Sequence, residues 1–125
     1  MIAADTSSWI AFLQGETAGD TELLEQALRD RRLLMIPAVL TELLSDPKLP
    51  QDVADTLCEV PPVTLGTDYW QRSGQLRAKI LAKERTARLG DALIAQSCLD
   101  AGILLLTRDR DFRAFAEIAG LQLGP

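Results

Sequence analysis

Short, uninterrupted apolar runs alternate along the chain with longer stretches in which apolar positions recur every three or four residues. Residues 1–4 are apolar up to Asp5 and read as a buried strand. Thr6, Ser7 and Ser8 then offer capping oxygens, and Trp9, Ile10, Phe12 and Leu13 supply the apolar face of a helix. After a glycine-bounded turn over residues 15–19, Leu23, Leu24, Ala27 and Leu28 follow the 3.6 period of a second helix. Residues 33–36 read as a second strand. Pro37 suits the first turn of the next helix, carried by Val39, Leu40, Leu43 and Leu44 and broken at Asp46-Pro47. A helix with Val53, Ala54 and Leu57 follows, then a brief strand over 63–65.

The second half repeats the alternation. The pattern predicts a long helix over 67–86, with Tyr69, Ser73, Leu76 and Ile80 on one side. Another opens at Gly90-Asp91 and stops at Gly102. Residues 103–106, four aliphatics before Thr107, form the plainest strand in the chain. A short helix over 111–118 and a strand over 121–123 complete the order. Strands alternating with helices, and lacking polar alternation themselves, predict an α/β layered fold with a mostly parallel sheet. No repeat, linker or low-complexity tract divides residues 1–125, which are expected to form a single domain.

Composition narrows the chemistry. The chain has 125 residues, 47% hydrophobic and 25% charged, as ordinary folded proteins do. It lacks a run near the roughly 20 apolar residues of a membrane span, and its start has no basic flank of a secretory signal. The expected compartment is the cytosol, with no membrane partner. Histidine is absent, which removes Ser-His-Asp triads, His general bases and His-containing zinc sites. Cys58 and Cys98 are the only cysteines, too few for a disulfide framework. Any catalysis must therefore run on carboxylates, hydroxyls and Lys or Arg, with or without a metal.

Charge is uneven. Residues 1–60 carry 11 acids and 4 bases, net −7; residues 61–125 carry 7 acids and 9 bases, net +2. Within the second half, Arg72, Arg77, Lys79, Lys83, Arg85 and Arg88 face only Glu84, either as a solvated helix face or as an anion-binding strip.

In open parallel sheets, sites form beyond the carboxyl ends of strands. Asp5 follows the first strand, Asp109 and Asp111 follow the plainest one, Asp91 sits at a helix entrance and Glu42 lies in the helix after the second strand. Asp20, Glu22, Glu25, Asp52, Asp55 and Glu59 are instead expected at exposed helix positions. Carboxylates that converge without histidine need a cation to stay ionised together, and oxygen-only ligation selects Mg²⁺ or Mn²⁺. Such an ion suits a phosphodiester substrate.

These residues also carry a family resemblance. Asp5-Thr6-Ser7, Thr41-Glu42-Leu43, Gly90-Asp91-Ala92-Leu93-Ile94-Ala95 and Leu106-Thr107-Arg108-Asp109-Arg110-Asp111-Phe112 resemble, in order, the four motifs of PIN domains, most closely the VapC-type ribonuclease toxins of toxin–antitoxin pairs. The resemblance implies a three-layer α/β/α sandwich and a Mg²⁺- or Mn²⁺-dependent endoribonuclease. By position, Asp5, Glu42, Asp91 and Asp109 match the acidic quartet, with Asp5, Asp91 and Asp109 as metal ligands, Asp109 directly or through water. Thr107 matches a hydroxyl position that steadies a carboxylate or water, and Asp111 is a fifth, looser acid. The implied partners are RNA, a cognate VapB-type antitoxin and a second copy of the chain. Two places depart from many relatives: Asp46 stands where they have glycine, and Gly90 precedes Asp91.

Other readings of the same residues are a PIN-fold binding protein without catalysis, a PIN nuclease acting on DNA, and a phosphate-accepting receiver module. The last requires an acidic pair after the first strand and a lysine after the last, where this chain has Asp5-Thr6 and Gly124-Pro125.

Overall fold

Ala3 and Ala4 are adjacent in one strand, point to opposite faces of the sheet, and are both inaccessible to solvent; so are Leu105 and Leu106. A strand buried on both faces requires a layer of helices on each side, and this places the sheet at the centre of a three-layer α/β/α sandwich. The computed structural model describes residues 1–125, in the order β1 (Ile2–Ala4), α1 (Thr6–Leu13), α2 (Gly19–Arg29), α3 (Pro37–Leu44), α4 (Gln51–Glu59), α5 (Tyr69–Ala82), α6 (Leu89–Ala101), β2 (Leu104–Leu106) and α7 (Phe112–Ala119).

The strands β1 and β2 pair in parallel, Ile2 opposite Leu104 and Ala4 opposite Leu106. The other three expected strands are reduced to single parallel bridges: Ile2 with Leu33, Met35 with Pro62, and Leu105 with Leu123. Pro61 and Pro62 have no amide hydrogen to donate to a ladder, so the edge at 61–63 is limited to bonds from Met35 N to Pro61 O (2.7 Å) and from Val63 N to Met35 O (3.0 Å). Taken with the bridges, the lateral order is 62, 33–35, β1, β2, 123. The chain steps outward from β1 in one direction, then returns to its other side. The reversal of strand order therefore falls between β1 and β2.

Helix boundaries follow local chemistry. Pro37 opens α3, and Gly102 ends α6 in the left-handed region with φ 65°. The long helix expected over 67–86 is shorter, because Asp68 and Glu84 both adopt positive φ and α5 is confined between them. One continuous hydrophobic core draws on every helix and both strands, with Trp9, Leu24, Met35, Ile80, Ile94, Leu105, Phe112 and Phe115 among its fully buried side chains. No helix is long and apolar enough to cross a membrane.

Candidate metal centre

At the reversal point, Asp5 leaves the carboxyl end of β1 and becomes the N-cap of α1, its Oδ1 accepting from the Ser8 amide at 3.1 Å. The side chain is buried, 4% exposed, and two hydroxyls finish its solvation. Ser7 Oγ donates to Oδ1 and Thr107 Oγ1 to Oδ2, both at 2.6 Å. Burial raises the Asp5 pKa, against the lowering effect of Ser7, Thr107 and the Ser8 amide, and Asp109 adds to the rise.

The same two hydroxyls organise the connection after β2. Thr107 Oγ1 accepts from the Asp109 amide at 2.9 Å, and Ser7 Oγ accepts from the Arg108 amide at 3.0 Å. Asp109 Oδ1 in turn accepts from the Asp111 amide at 2.9 Å. The turn is thus locked to β1, and its two aspartates are aimed towards the first turn of α6, where Asp91 lies. Carboxylate oxygens of Asp91, Asp109 and Asp111 all come within 4.8 Å of one another.

Asp91 is the most frustrated of the three. Its side chain is 15% exposed, and Oδ2 is buried without a hydrogen-bond partner. Burial pushes its pKa up to about 6; Arg88 pulls downward, while Asp109, Asp111 and Asp5 push further up. A desolvated anion short of a donor, beside two more carboxylates, is the environment a bound cation would relieve. The donor set is all oxygen, which fits Mg²⁺ or Mn²⁺. On these grounds the residues fit a hard divalent ion.

Of the residues singled out in the sequence, Asp91, Asp109 and Asp111 form the tight group and Asp5 joins them through Thr107. Glu42 stands apart. It is exposed on α3, outside that group, with Oε1 3.9 Å from where a Cβ on Gly90 would lie. It borders a cleft of about 330 Å³ between α3, α5 and α6 that also includes Trp70 and Leu89. A larger cleft, about 470 Å³, lies at the amino-terminal end of the strands beside Leu33 and Pro61, away from every acid of the group.

Three residues of this neighbourhood were not legible as part of it. Asp20, expected on an exposed helix position, is buried, accepting from Ser8 Oγ at 2.9 Å and from Arg108 at 2.7 and 3.0 Å. The Arg108 contacts hold its pKa down at about 2. Arg108 also reaches Glu16 at 2.8 Å, so it clamps the turn after β2 to the start of α2. Arg88 was grouped with the basic strip, yet its Nη2 lies 2.9 Å from both Asp109 and Asp111, and its Nε 3.4 Å from Asp91. Its spacing three residues before Asp91 was the one available signal. The strip itself disperses. Arg72 pairs with Asp100, Arg85 with Glu117, and Arg77 donates to the Ala87 carbonyl, leaving Lys79 and Lys83 unpaired.

A parallel α/β/α sandwich with an acid cluster at its strand-order reversal defines the class. The sequence pattern of the PIN domain matches residues 2–118, and the chain belongs to the PIN domain family. PIN domains are generally nucleases. No curated protein matches it in sequence. Among solved structures it resembles a chain of VapBC2 from Rickettsia felis bound to a DNA fragment from its promoter, with TM-score 0.76 and 20% identity over 99% of this chain and 98% of that one. DNA-bound VapBC from Salmonella typhimurium is similar, at TM-score 0.75 and 20% identity over 99% and 98%. VapBC-5 from Mycobacterium tuberculosis, a member of the VapBC family of toxin–antitoxin systems, gives TM-score 0.63 and 21% identity over 98% and 95%.

Proposed function

We propose that the chain is a Mg²⁺- or Mn²⁺-dependent endoribonuclease, the toxin member of a toxin–antitoxin pair. The observation that carries the reading is the meeting of Asp91, Asp109 and Asp111 beside the buried Asp5, with Asp91 Oδ2 making no hydrogen bond and only a 3.4 Å ion-pair contact with Arg88. Asp5, Asp91 and Asp109 hold the ion in this reading, with Asp111 in support and Glu42 completing the catalytic acids from beside Gly90. Thr107 keeps Asp5 and Asp109 in register by bonding to both. A divalent ion so held would polarise a phosphoryl oxygen and activate water for attack on a phosphodiester.

The solved neighbours that are VapBC complexes support a VapB-type antitoxin as partner. The exposed Trp70 and Leu89, 65% and 63% accessible beside the cleft at Glu42, support a homodimer through that apolar face.

Purified protein with Mn²⁺ should cleave RNA, and Asp5→Asn and Asp91→Asn should each abolish cleavage while keeping the helical circular dichroism of the parent. Cleavage retained in both variants would overturn the assignment. Parallel digests of RNA and single-stranded DNA identify the substrate. Mn²⁺ binding without cleavage of either would point to a silent binding protein.

A further inference from the structure

Arg88 is the N-cap residue of α6, in extended backbone conformation, and its side chain turns back over the first turn. One guanidinium nitrogen, Nη2, lies 2.9 Å from Asp109 Oδ2 and 2.9 Å from Asp111 Oδ2, while Nε faces Asp91 Oδ2 at 3.4 Å. A single cation thus stands against all three carboxylates of the cluster. It is nonetheless 64% exposed, so ion pairing rather than packing keeps it there. Exposed ion pairs of this kind are weak, and arginine remains charged at any working pH.

Two of those carboxylates, Asp91 and Asp109, are ligands in the nuclease reading, and Asp111 supports them. A guanidinium and a divalent ion of like sign cannot share them at contact distance without strong repulsion. Arg88 therefore leaves the carboxylates when the site is loaded, and its exposed stem lets it do so without unpacking the core. A phosphodiester drawn to the loaded site brings anionic oxygens to the rim where Arg88 then stands. The planar fork of donors suits a phosphate as well as it suits two carboxylates.

We propose that Arg88 is a substrate-binding residue with two stations: counter-cation of Asp91, Asp109 and Asp111 in the metal-free protein, and ligand of the RNA backbone phosphate in the loaded one. The proposal rests on the nuclease reading and adds to it a residue with opposite effects on the two ligands. A residue that merely shaped the site would weaken both when replaced.

The test is a pair of binding measurements on the full chain in mildly alkaline buffer. Isothermal titration with Mn²⁺ alone, without RNA, should give roughly fivefold tighter binding for Arg88→Gln than for the parent, and a parental value for Arg88→Lys, which keeps the charge. Fluorescence anisotropy of a labelled single-stranded RNA in Ca²⁺, with the strand checked intact on a gel, should show roughly fivefold weaker binding for Arg88→Gln. Mn²⁺ affinity that is unchanged or lower in Arg88→Gln overturns the counter-cation station. RNA affinity that is unchanged or higher overturns the phosphate station. Equal Mn²⁺ binding and RNA cleavage in parent and variants would sink the role of Arg88 and leave the nuclease reading standing. Absence of Mn²⁺ binding in all of them would remove both.

Discussion

Thr107 Oγ1 donates to Asp5 Oδ2 at 2.6 Å across 102 residues of chain, and the same oxygen accepts from the Asp109 amide at 2.9 Å. One hydroxyl therefore ties the ends of β1 and β2 together at the point where the strand order reverses. Thr107→Val keeps the shape and removes both bonds. It should lower stability by about 1–2 kcal/mol, because a buried carboxylate loses a donor. It should also reduce Mn²⁺ affinity, since Asp5 and Asp109 lose their common tether. Urea denaturation and Mn²⁺ titration read the two effects; parental values in both would refute the tether.

Asp91 has a pKa of about 6 in the fold, against 3.8 for an ordinary aspartate. The folded state holds this proton more tightly than the unfolded chain does. The contribution of Asp91 to stability consequently falls as pH rises from about 4 to about 6, and a penalty of about 3 kcal/mol is complete above that. Asp91→Asn should make the metal-free protein more stable at neutral pH, with the gain shrinking as the pH is lowered towards 4. Urea midpoints across that range measure it, and a variant less stable than the parent at neutral pH would contradict it. Saturating Mn²⁺ should stabilise the parent and not the variant.

Asp20 responds to pH with the opposite sign. Its pKa of about 2 lies below the unfolded value, so its stabilising contribution is present above about pH 4 and is lost as pH falls towards 2. Asp20→Asn should destabilise by about 2 kcal/mol at neutral pH and flatten the acid limb of the stability profile. Because Arg108 holds the turn bearing Asp109, the variant should also bind Mn²⁺ more weakly. Arg108→Gln should act in the same direction, and the double variant should lose less than the two single losses combined, as expected for partners in direct contact.

Gly90 does not require glycine for its backbone, being absent from the residues with positive φ. A Cβ there meets only Glu42 Oε1, at the ordinary contact distance of 3.9 Å. Gly90→Ala should raise stability by about 0.5 kcal/mol through helix propensity while leaving Mn²⁺ binding at the parental level. A loss of Mn²⁺ affinity would place Glu42, rather than the Asp91 group alone, in control of the ion.

Much of this architecture was legible from periodicity. The helices at Trp9, Leu24, Val39, Leu57, Ile80 and Ile94 were expected from apolar spacing, and all of them occur. Proline and glycine marked ends that the structure keeps, at Pro37 and Gly102. The strands were harder to size. Apolar character at 33–36, 63–65 and 121–123 reports burial, whereas a ladder depends on which backbone donors find partners, and Pro61 and Pro62 supply none.

By itself the sequence determined the alternation of strand and helix, the core faces, the absence of histidine chemistry and the placement of aspartates just beyond strand and helix ends. Each of these is a local property, set by side-chain type and spacing. Only the tertiary structure decided that Asp111 joins Asp91 and Asp109, that Glu42 lies beside Gly90, that Asp20 is buried against Arg108, and that the exposed Arg88 pairs with the acids. Those pairings depend on distances between segments up to about a hundred residues apart, which strand order and helix packing set and no local pattern encodes.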